Sequence, residues 1–320
     1  MIISASRRTD IPAFYSQWFI KRLQAGYVDV QNPMNPQQIS RIPLHKDTAD
    51  CFLLATKNPL PMLRLVGGKC ALDTVKDFGV PAIFHFTLTP YGRDIESSLP
   101  SKDRLIEAFI ELAHRLGKDC MVWRYDPVVF AHGWNVEKHK EAFSAYAQRL
   151  AGSTRRCIVS FFMVYKKFSS DMVRSLGGVI PLADRLDLAQ HFFHECQKYG
   201  MRLSICCDAH DYSDVGITTC GCIDREVIET VIGCPIEIPK EKELRDNCLC
   251  LPSVDIGAYD TCGNGCQYCY AVSNHTMVRR RMNLHDRHSS MLIGHVPSSV
   301  IPKVRVMKSL KIKQVQLGLL

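Results

Sequence analysis

Short runs rich in β-branched and aromatic residues alternate along the chain with stretches whose apolar residues recur every three or four positions. The runs predict strands over 2–6, 27–30, 50–55, 81–88, 120–125, 156–163, 201–206 and 252–257. Between them the spacing predicts helices over 11–25, 101–116, 135–150 and 184–199. The first helix has Asp10 as N-cap, Pro12 in its opening turn and Gly26 as its stop. Eight strands interleaved with helices favour an α/β fold built as a (β/α) TIM-like barrel, complete or partial. A doubly wound sheet is disfavoured, because no G-x-G-x-x-G or P-loop sequence is present.

A barrel of parallel strands places its chemistry where strands end and loops begin. Just past the predicted strands stand Ser6, Arg7, Arg8, Thr9 and Asp10, then Asn32, then Thr56, Lys57 and Asn58. Thr87 and Thr89, Arg124 and Asp126, Tyr165 and Lys166, and Cys206, Cys207 and Asp208 follow. In that register these residues line one cavity. Arg7, Arg8, Lys57 and Arg124 would give it a positive potential suited to a carboxylate or phosphate, although Arg124 and Asp126 are equally placed to pair as scaffold.

At 320 residues the chain accommodates one barrel with an appendage, and 46% hydrophobic and 22% charged residues suit a globular protein. No apolar run approaches a membrane span. Arg7 and Arg8 lie near the start, but the stretch after them is amphipathic and broken by Gln17, Lys21 and Arg22. The expected location is therefore cytoplasmic. The net charge of +8 belongs to the C-terminal end. From Met277 onward nine Lys or Arg face one acid, Asp286, and the rest of the chain carries equal numbers of each sign. This argues against the chain as a general nucleic-acid binder.

Fifteen cysteines change the picture more. Ten of them crowd into residues 206–269, a density that points to metal rather than to core packing or a disulfide scaffold. Residues 261–271 read T-C-G-N-G-C-Q-Y-C-Y-A. Here Cys262, Cys266 and Cys269 supply three thiols from one loop without an obvious fourth, His275 being the nearest candidate. Structural zinc normally takes four Cys or His ligands, whereas three thiolates suit a [4Fe–4S] cluster with one iron left open. Gly263 and Gly265 are expected to supply a positive-φ backbone around it.

The C-x-x-x-C-x-φ-C pattern, with Tyr268 before the last cysteine, resembles the cluster loop of the radical S-adenosylmethionine superfamily. That resemblance implies Cys262, Cys266 and Cys269 as cluster ligands and Tyr268 as the aromatic beside the adenine. It also implies a reductant such as flavodoxin or ferredoxin, and a 5′-deoxyadenosyl radical that abstracts hydrogen from a substrate. The wider sequence is similar to the DUF1848 family over roughly residues 1–294. It shares S-R-R-T-D-I-P-A at 6–13, T-K-N-P at 56–59, W-R-Y-D-P at 123–127 and D-I-G-A-Y-D-T-C-G-N-G-C-Q-Y-C-Y-A at 255–271. In the superfamily the cluster loop follows the first strand; here it follows the last, as a circular permutation of the barrel would place it. The neighbouring strand of the superfamily carries a Gly-Gly-Glu contact to the methionine amine. Its counterpart here ends S-A-S-R-R-T-D, leaving Ser4, Ser6 or Asp10 as substitutes.

Of the remaining cysteines, Cys207, Cys222, Cys248 and Cys250 are candidates for a second site, holding an Fe–S cluster or zinc. Adjacent Cys206 and Cys207 would point apart in a strand, so one of the two is expected to serve. His85, His114, His132 and His139 show no ligand spacing. The basic–apolar alternation over 303–315 is expected to be an edge strand or frayed tail. The expected organisation is a barrel body over 1–245, a Cys-rich segment completing it over 246–294, and a basic tail over 295–320. Two other functional classes remain: an iron–sulfur electron-transfer or sensing protein that does not cleave the cofactor, and a zinc-dependent nucleic-acid module using the tail.

Overall fold

The computed structural model describes residues 1–238 and 248–312. Its strands are β1 (Ile2–Ser4), β2 (Tyr27–Asn32), β3 (Asn35–Pro43), β4 (Cys51–Thr56), β5 (Leu65–Val66), β6 (Lys69–Cys70) and β7 (Ala82–Thr87). They continue as β8 (Met121–Val128), β9 (Arg156–Phe161), β10 (Arg202–Ile205), β11 (Thr218–Thr219), β12 (Val254–Asp255) and β13 (Lys303–Val304). Eight of them form one sheet in the order β11-β10-β9-β8-β7-β4-β1-β12, and every pairing in it is parallel.

The main crossover helices are α1 (Ile11–Phe14), α2 (Ser16–Ala25), α3 (Leu60–Leu63), α4 (Ala71–Asp77), α5 (Lys102–Leu116), α6 (Val136–Leu150), α7 (Ser170–Ser175) and α8 (Leu182–Lys198). The predicted helix over 11–25 is two helices, broken at Tyr15. Its caps are as expected: the Asp10 side chain accepts from Ala13 N, and Gly26 closes it in the left-handed conformation.

One predicted sheet member is elsewhere. Residues 27–30 belong to β2, which pairs antiparallel with β3. The connection of two residues permits a hairpin, whereas a parallel partner needs a crossover of about a dozen residues or more. The eighth place in the parallel sheet goes to β11, whose two residues are too few to show an alternation. The tail is partly ordered by the same hairpin, because β13 adds to the edge of β3 and Arg305 N bonds Arg41 O. Further on, Ser309 Oγ and Leu310 N both bond Asp50. Lys313 onward, and the expected boundary at 245/246, lie outside the described residues.

Both faces of the parallel strands are buried, which explains why they read as near-continuous apolar runs. One face packs on the helices through Phe52, Leu54, Phe84, Phe86, Trp123, Tyr125 and Val159. The other carries Ile2, Cys51, Leu53, Ile83, Val122 and Ile158, which form a second core. Along this second face the side chains turn polar toward the C-terminal ends: Ile83 gives way to His85 and Thr87, Val122 to Arg124 and Asp126, Ile158 to Ser160. Among the described residues no ladder joins β11 to β12, so the sheet is open. Irregular backbone nonetheless links its two ends, since Leu251 N, just ahead of β12, bonds Ile223 O in the loop after β11. No helix among the described residues is long and apolar enough to cross a membrane.

Candidate functional site

The polar ends of the strands open on a cavity of about 430 Å³, within the range of small-molecule sites. Cys262, Cys266 and Cys269 line it from one side, with Tyr268. Ser6, Arg7, Arg8, Thr9, Asp10, Thr56, Lys57, Thr87, Arg124, Asp126 and Tyr165 line it as well. Cys206, Cys207, Cys222, Cys248 and Cys250 form a further wall. Asn32, Asn58, Thr89, Lys166 and Asp208 are not in its lining. Asn32 stands on the hairpin, bonded to Gln38, and Asp208 is taken by Arg185 and Tyr212.

The loop carrying the three cysteines is fixed by backbone. Residues Glu96 and Cys266 form an antiparallel bridge, Gln267 N bonds Ile95 O, and Ser98 N bonds Asn264 O. Gly265 has φ +72°, and a Cβ there would lie 2.0 Å from Ser97 Oγ, so a side chain would strain the backbone and displace that hydroxyl. Gly263 departs from expectation: its φ is not positive, and it serves by making room for the Phe14 ring, which a Cβ at this position would approach to 3.1 Å. On the other side, Tyr15 donates its hydroxyl to Thr261 O, and Lys167 Nζ reaches Cys269 O and Val272 O.

Behind Tyr268 lies a buried charge cluster. Glu96 Oε1 accepts from Lys57 Nζ (2.7 Å), Thr89 Oγ1 (2.7 Å) and the Tyr268 hydroxyl, while Lys102 holds Oε2. Burial opposes ionisation of Glu96, but Lys57 and Lys102 outweigh it and hold its pKa at about 2. Burial likewise opposes the charge on Lys57, yet Glu96 and Cys266 leave its pKa raised. The Lys57 ammonium stands 5.4 Å from the Tyr268 ring centroid.

The residues expected to replace the Gly-Gly-Glu contact are already engaged. Ser4 and Ser6 both donate to Asp255, which also accepts from Arg7 N (2.7 Å) and Gly257 N (2.9 Å). Asp10 accepts from Ala13 N, Lys57 N and Asn264 Nδ2. It thereby ties α1, the end of β4 and the cysteine loop together. Burial raises its pKa against those three bonds and one from the Thr56 side chain. Ser4 is buried and stands outside the cavity lining. Arg7 and Arg8 remain partly open, with 27% and 24% of their side chains exposed. Arg124 and Asp126, which the sequence left open between pocket and scaffold, form an ion pair while both line the cavity, and Ser160 also donates to Asp126.

The second cysteine group gathers on one wall, but with a different partner than expected. Cys206 Sγ is 2.8 Å from Cys222 Sγ and 3.6 Å from Cys207 Sγ, and Cys250 bonds both Cys206 and Cys222. Among the described residues, no group of three or more His, Cys, Asp or Glu side chains stands in geometry to hold one metal ion. A cubane is a separate case, since each of its thiolates binds a different iron. Burial raises the pKa of Cys262, Cys266 and Cys269, while backbone N–H groups of Asn264 and of Ala271 and Val272 favour the thiolates of Cys262 and Cys269.

Sequence reasoning missed Asp255, Glu96 and Lys167; it expected Cys206 in the cavity lining, where it stands, but chose Cys207 over it for the second site. Asp255 opens the long C-terminal motif and carries no signal beyond that. Glu96 sits in a loop and acquires its role only through Lys57 and Lys102, one of them distant in sequence. His85, which shows no ligand spacing in the sequence, lines the cavity buried, its ring making no hydrogen bond to another described residue. Its pKa falls well below the ordinary value through burial and the nearby Arg124, Arg156 and Arg7.

No curated protein matches the chain. The family described as "Domain of unknown function (DUF1848)" matches residues 2–271, from β1 to the end of the cysteine loop, a shorter span than the motifs suggested. With that match over most of its length, the chain belongs to the DUF1848 family.

Proposed function

We propose that this protein is an iron–sulfur enzyme of radical S-adenosylmethionine type acting on a small anionic substrate. The observation that carries the reading is the convergence of Cys262, Cys266 and Cys269 with Arg7, Arg8, Lys57 and Arg124 on one cavity. The donor set fits a [4Fe–4S] cluster: three thiols from one loop, N–H groups directed at two of them, and a loop pinned to the 94–98 segment. When bound, the cluster and S-adenosylmethionine would supply one-electron cleavage of the sulfonium and a 5′-deoxyadenosyl radical for hydrogen abstraction.

The chain's own residues do the positioning. Tyr268 is locked by Glu96, Lys57 is held by the same carboxylate, and the loop is closed by Lys167. Ser4, Ser6 and Asp10 do not fit as ligands for the methionine amine, because Asp255 and the loop backbone already use them. Arg7 and Arg8 lie 3.8 and 4.0 Å from Asp255, and Arg7 also donates to Ser253, yet both stay partly open and are placed to meet a carboxylate or phosphate. Thr9 Oγ1, Asn264 Oδ1 and Arg124 Nε, all on residues of the lining, are buried polar atoms without a hydrogen-bond partner among the described residues, as a ligand site leaves them. The seam between β11 and β12, bridged by irregular backbone, supports a barrel-like body in which β12 lies beside β1, the arrangement a permuted barrel requires.

The engagement of Ser4, Ser6 and Asp10 favours one second reading, an iron–sulfur protein that transfers electrons without cleaving the cofactor. One experiment separates the two. The protein is purified without oxygen, reconstituted with iron and sulfide, reduced and given S-adenosylmethionine, and 5′-deoxyadenosine is assayed beside Cys262→Ala. Product in the wild type that disappears in the variant supports the enzyme. A bound cluster whose spectrum ignores S-adenosylmethionine, with no product, supports electron transfer. Failure to hold iron ends both readings.

A further inference from the structure

The cavity is also lined by thiols that the proposed function does not use. Cys206 directly follows β10 and is buried, and Cys222 lies half-buried in the loop after β11. Both line the cavity. The Sγ atoms are 2.8 Å apart. That separation discriminates among the uses of paired thiols. Two sulfurs sharing a tetrahedral zinc at Zn–S of about 2.3 Å stand about 3.8 Å apart, and those of a cubane stand farther still. A disulfide needs about 2.05 Å. At 2.8 Å the pair stands nearer the length of a direct bond than the spacing of a shared metal.

The local backbone keeps the pair together. Cys206 N bonds Val159 O on β9, which fixes the end of β10. Across the loop, a Cβ on Gly221 would meet Leu249 O at 2.4 Å and Cys250 N at 2.6 Å, so glycine alone lets the segment bearing Cys222 press against the segment bearing Cys250. Leu251 N to Ile223 O completes that contact. The two thiols thus come from separate chain segments, with the Cys250 segment packed against that of Cys222, at the seam where irregular backbone links the two ends of the sheet.

We propose that Cys206 and Cys222 are a redox-active dithiol that forms a reversible disulfide on the cavity wall, with small-molecule disulfides as its oxidant class. Cys222, the more accessible, attacks one sulfur of the oxidant as its thiolate, forming a mixed disulfide and releasing one thiolate. Cys206, giving up its proton to solvent, then attacks Cys222 Sγ, closes the protein disulfide and expels the second thiolate. The two protein thiols lose two electrons and two protons; the oxidant's S–S bond takes the electron pair, and its thiolates take up protons. A dithiol reductant reverses both steps.

The test uses the full-length chain, reduced and without added iron. It is exposed to 2-hydroxyethyl disulfide, then denatured, alkylated and cleaved at the aspartates between the two cysteines, Asp208, Asp211 and Asp214. Mass spectrometry is expected to find one cross-link, Cys206 to Cys222, with both thiols lost to alkylation and recovered after dithiothreitol. Cys206→Ser is expected to stop at the mixed disulfide on Cys222, and Cys222→Ser to leave Cys206 alkylatable. If either variant fails to fold, the wild-type cross-link map decides alone. The proposal is overturned if both thiols stay alkylatable in the wild type, or if Cys222 pairs with Cys250 instead. Metal bound in equal molar amount and released as Cys206 and Cys222 react would also overturn it. None of these outcomes depends on the cluster loop, so the proposed function stands or falls separately.

Discussion

Two residues show how narrow the tolerances around the cysteine loop are. At Gly265 a methyl group would both strain a backbone at φ +72° and strike Ser97 Oγ. Left-handed backbone alone costs an L-residue about 1–2 kcal/mol. Gly265→Ala is therefore expected to lower iron retention after reconstitution severalfold, read as iron per chain and cluster absorbance, with the body of the fold intact by circular dichroism. Glu96 makes a statement about pH. Its pKa is depressed from 4.5 to about 2 on folding, so its contribution is present above about pH 4.5 and is lost as pH falls toward 2. That shift corresponds to about 3 kcal/mol. Glu96→Gln is expected to flatten the loss of stability across this window in urea titrations. At neutral pH it should destabilise the protein by about 3 kcal/mol or more, because Lys57 and Lys102 lose their counter-charge.

At the level of elements, the short helix α1 and the break after it depend on the cysteine loop as much as the loop depends on them. Asp10 caps α1 and binds Asn264, and Tyr15, at the break, binds Thr261 O. Both Tyr15 and Thr261 are buried, so Tyr15→Phe leaves a carbonyl without that partner. The expected cost is about 1–2 kcal/mol in urea denaturation, with weaker cluster binding alongside. The hairpin of β2 and β3 illustrates the limit of pattern reading. Its residues alternate like a sheet strand, and only the two-residue connection between them shows that they pair with each other.

For the whole molecule, the cationic side chains that line the cavity, Arg7, Arg8, Lys57 and Arg124, come from strand ends far apart in sequence. Arg8 lies partly open above it, 5.4 Å from the Tyr259 ring centroid and at the edge of ion-pair distance from Asp255. Arg8→Ala is expected to weaken binding of inorganic phosphate about tenfold by isothermal titration, close to 1.4 kcal/mol, without altering thermal stability. Unchanged affinity would place the anion elsewhere or remove it from the reading.

Much of this was legible in one dimension. Strands buried on both faces read as apolar runs, the caps of α1 and α2 are local chemistry, and three cysteines on one glycine-spaced loop announce themselves through spacing alone. The parallel order also makes strand ends converge, which is why Ser6 to Asp10, Lys57, Arg124 and Asp126 could be placed together from the sequence. What tertiary structure alone decided is partnership. A carboxylate has no signature that says whether it will stand free or saturated, so Asp10 read as a ligand candidate and is a structural tie, while Asp255 and Glu96 were silent and are the charged centres of their networks. The same holds for sulfur: sequence could crowd Cys206, Cys207, Cys222, Cys248 and Cys250 into one region, but which thiol touches which depends on how the ends of an open sheet meet in space.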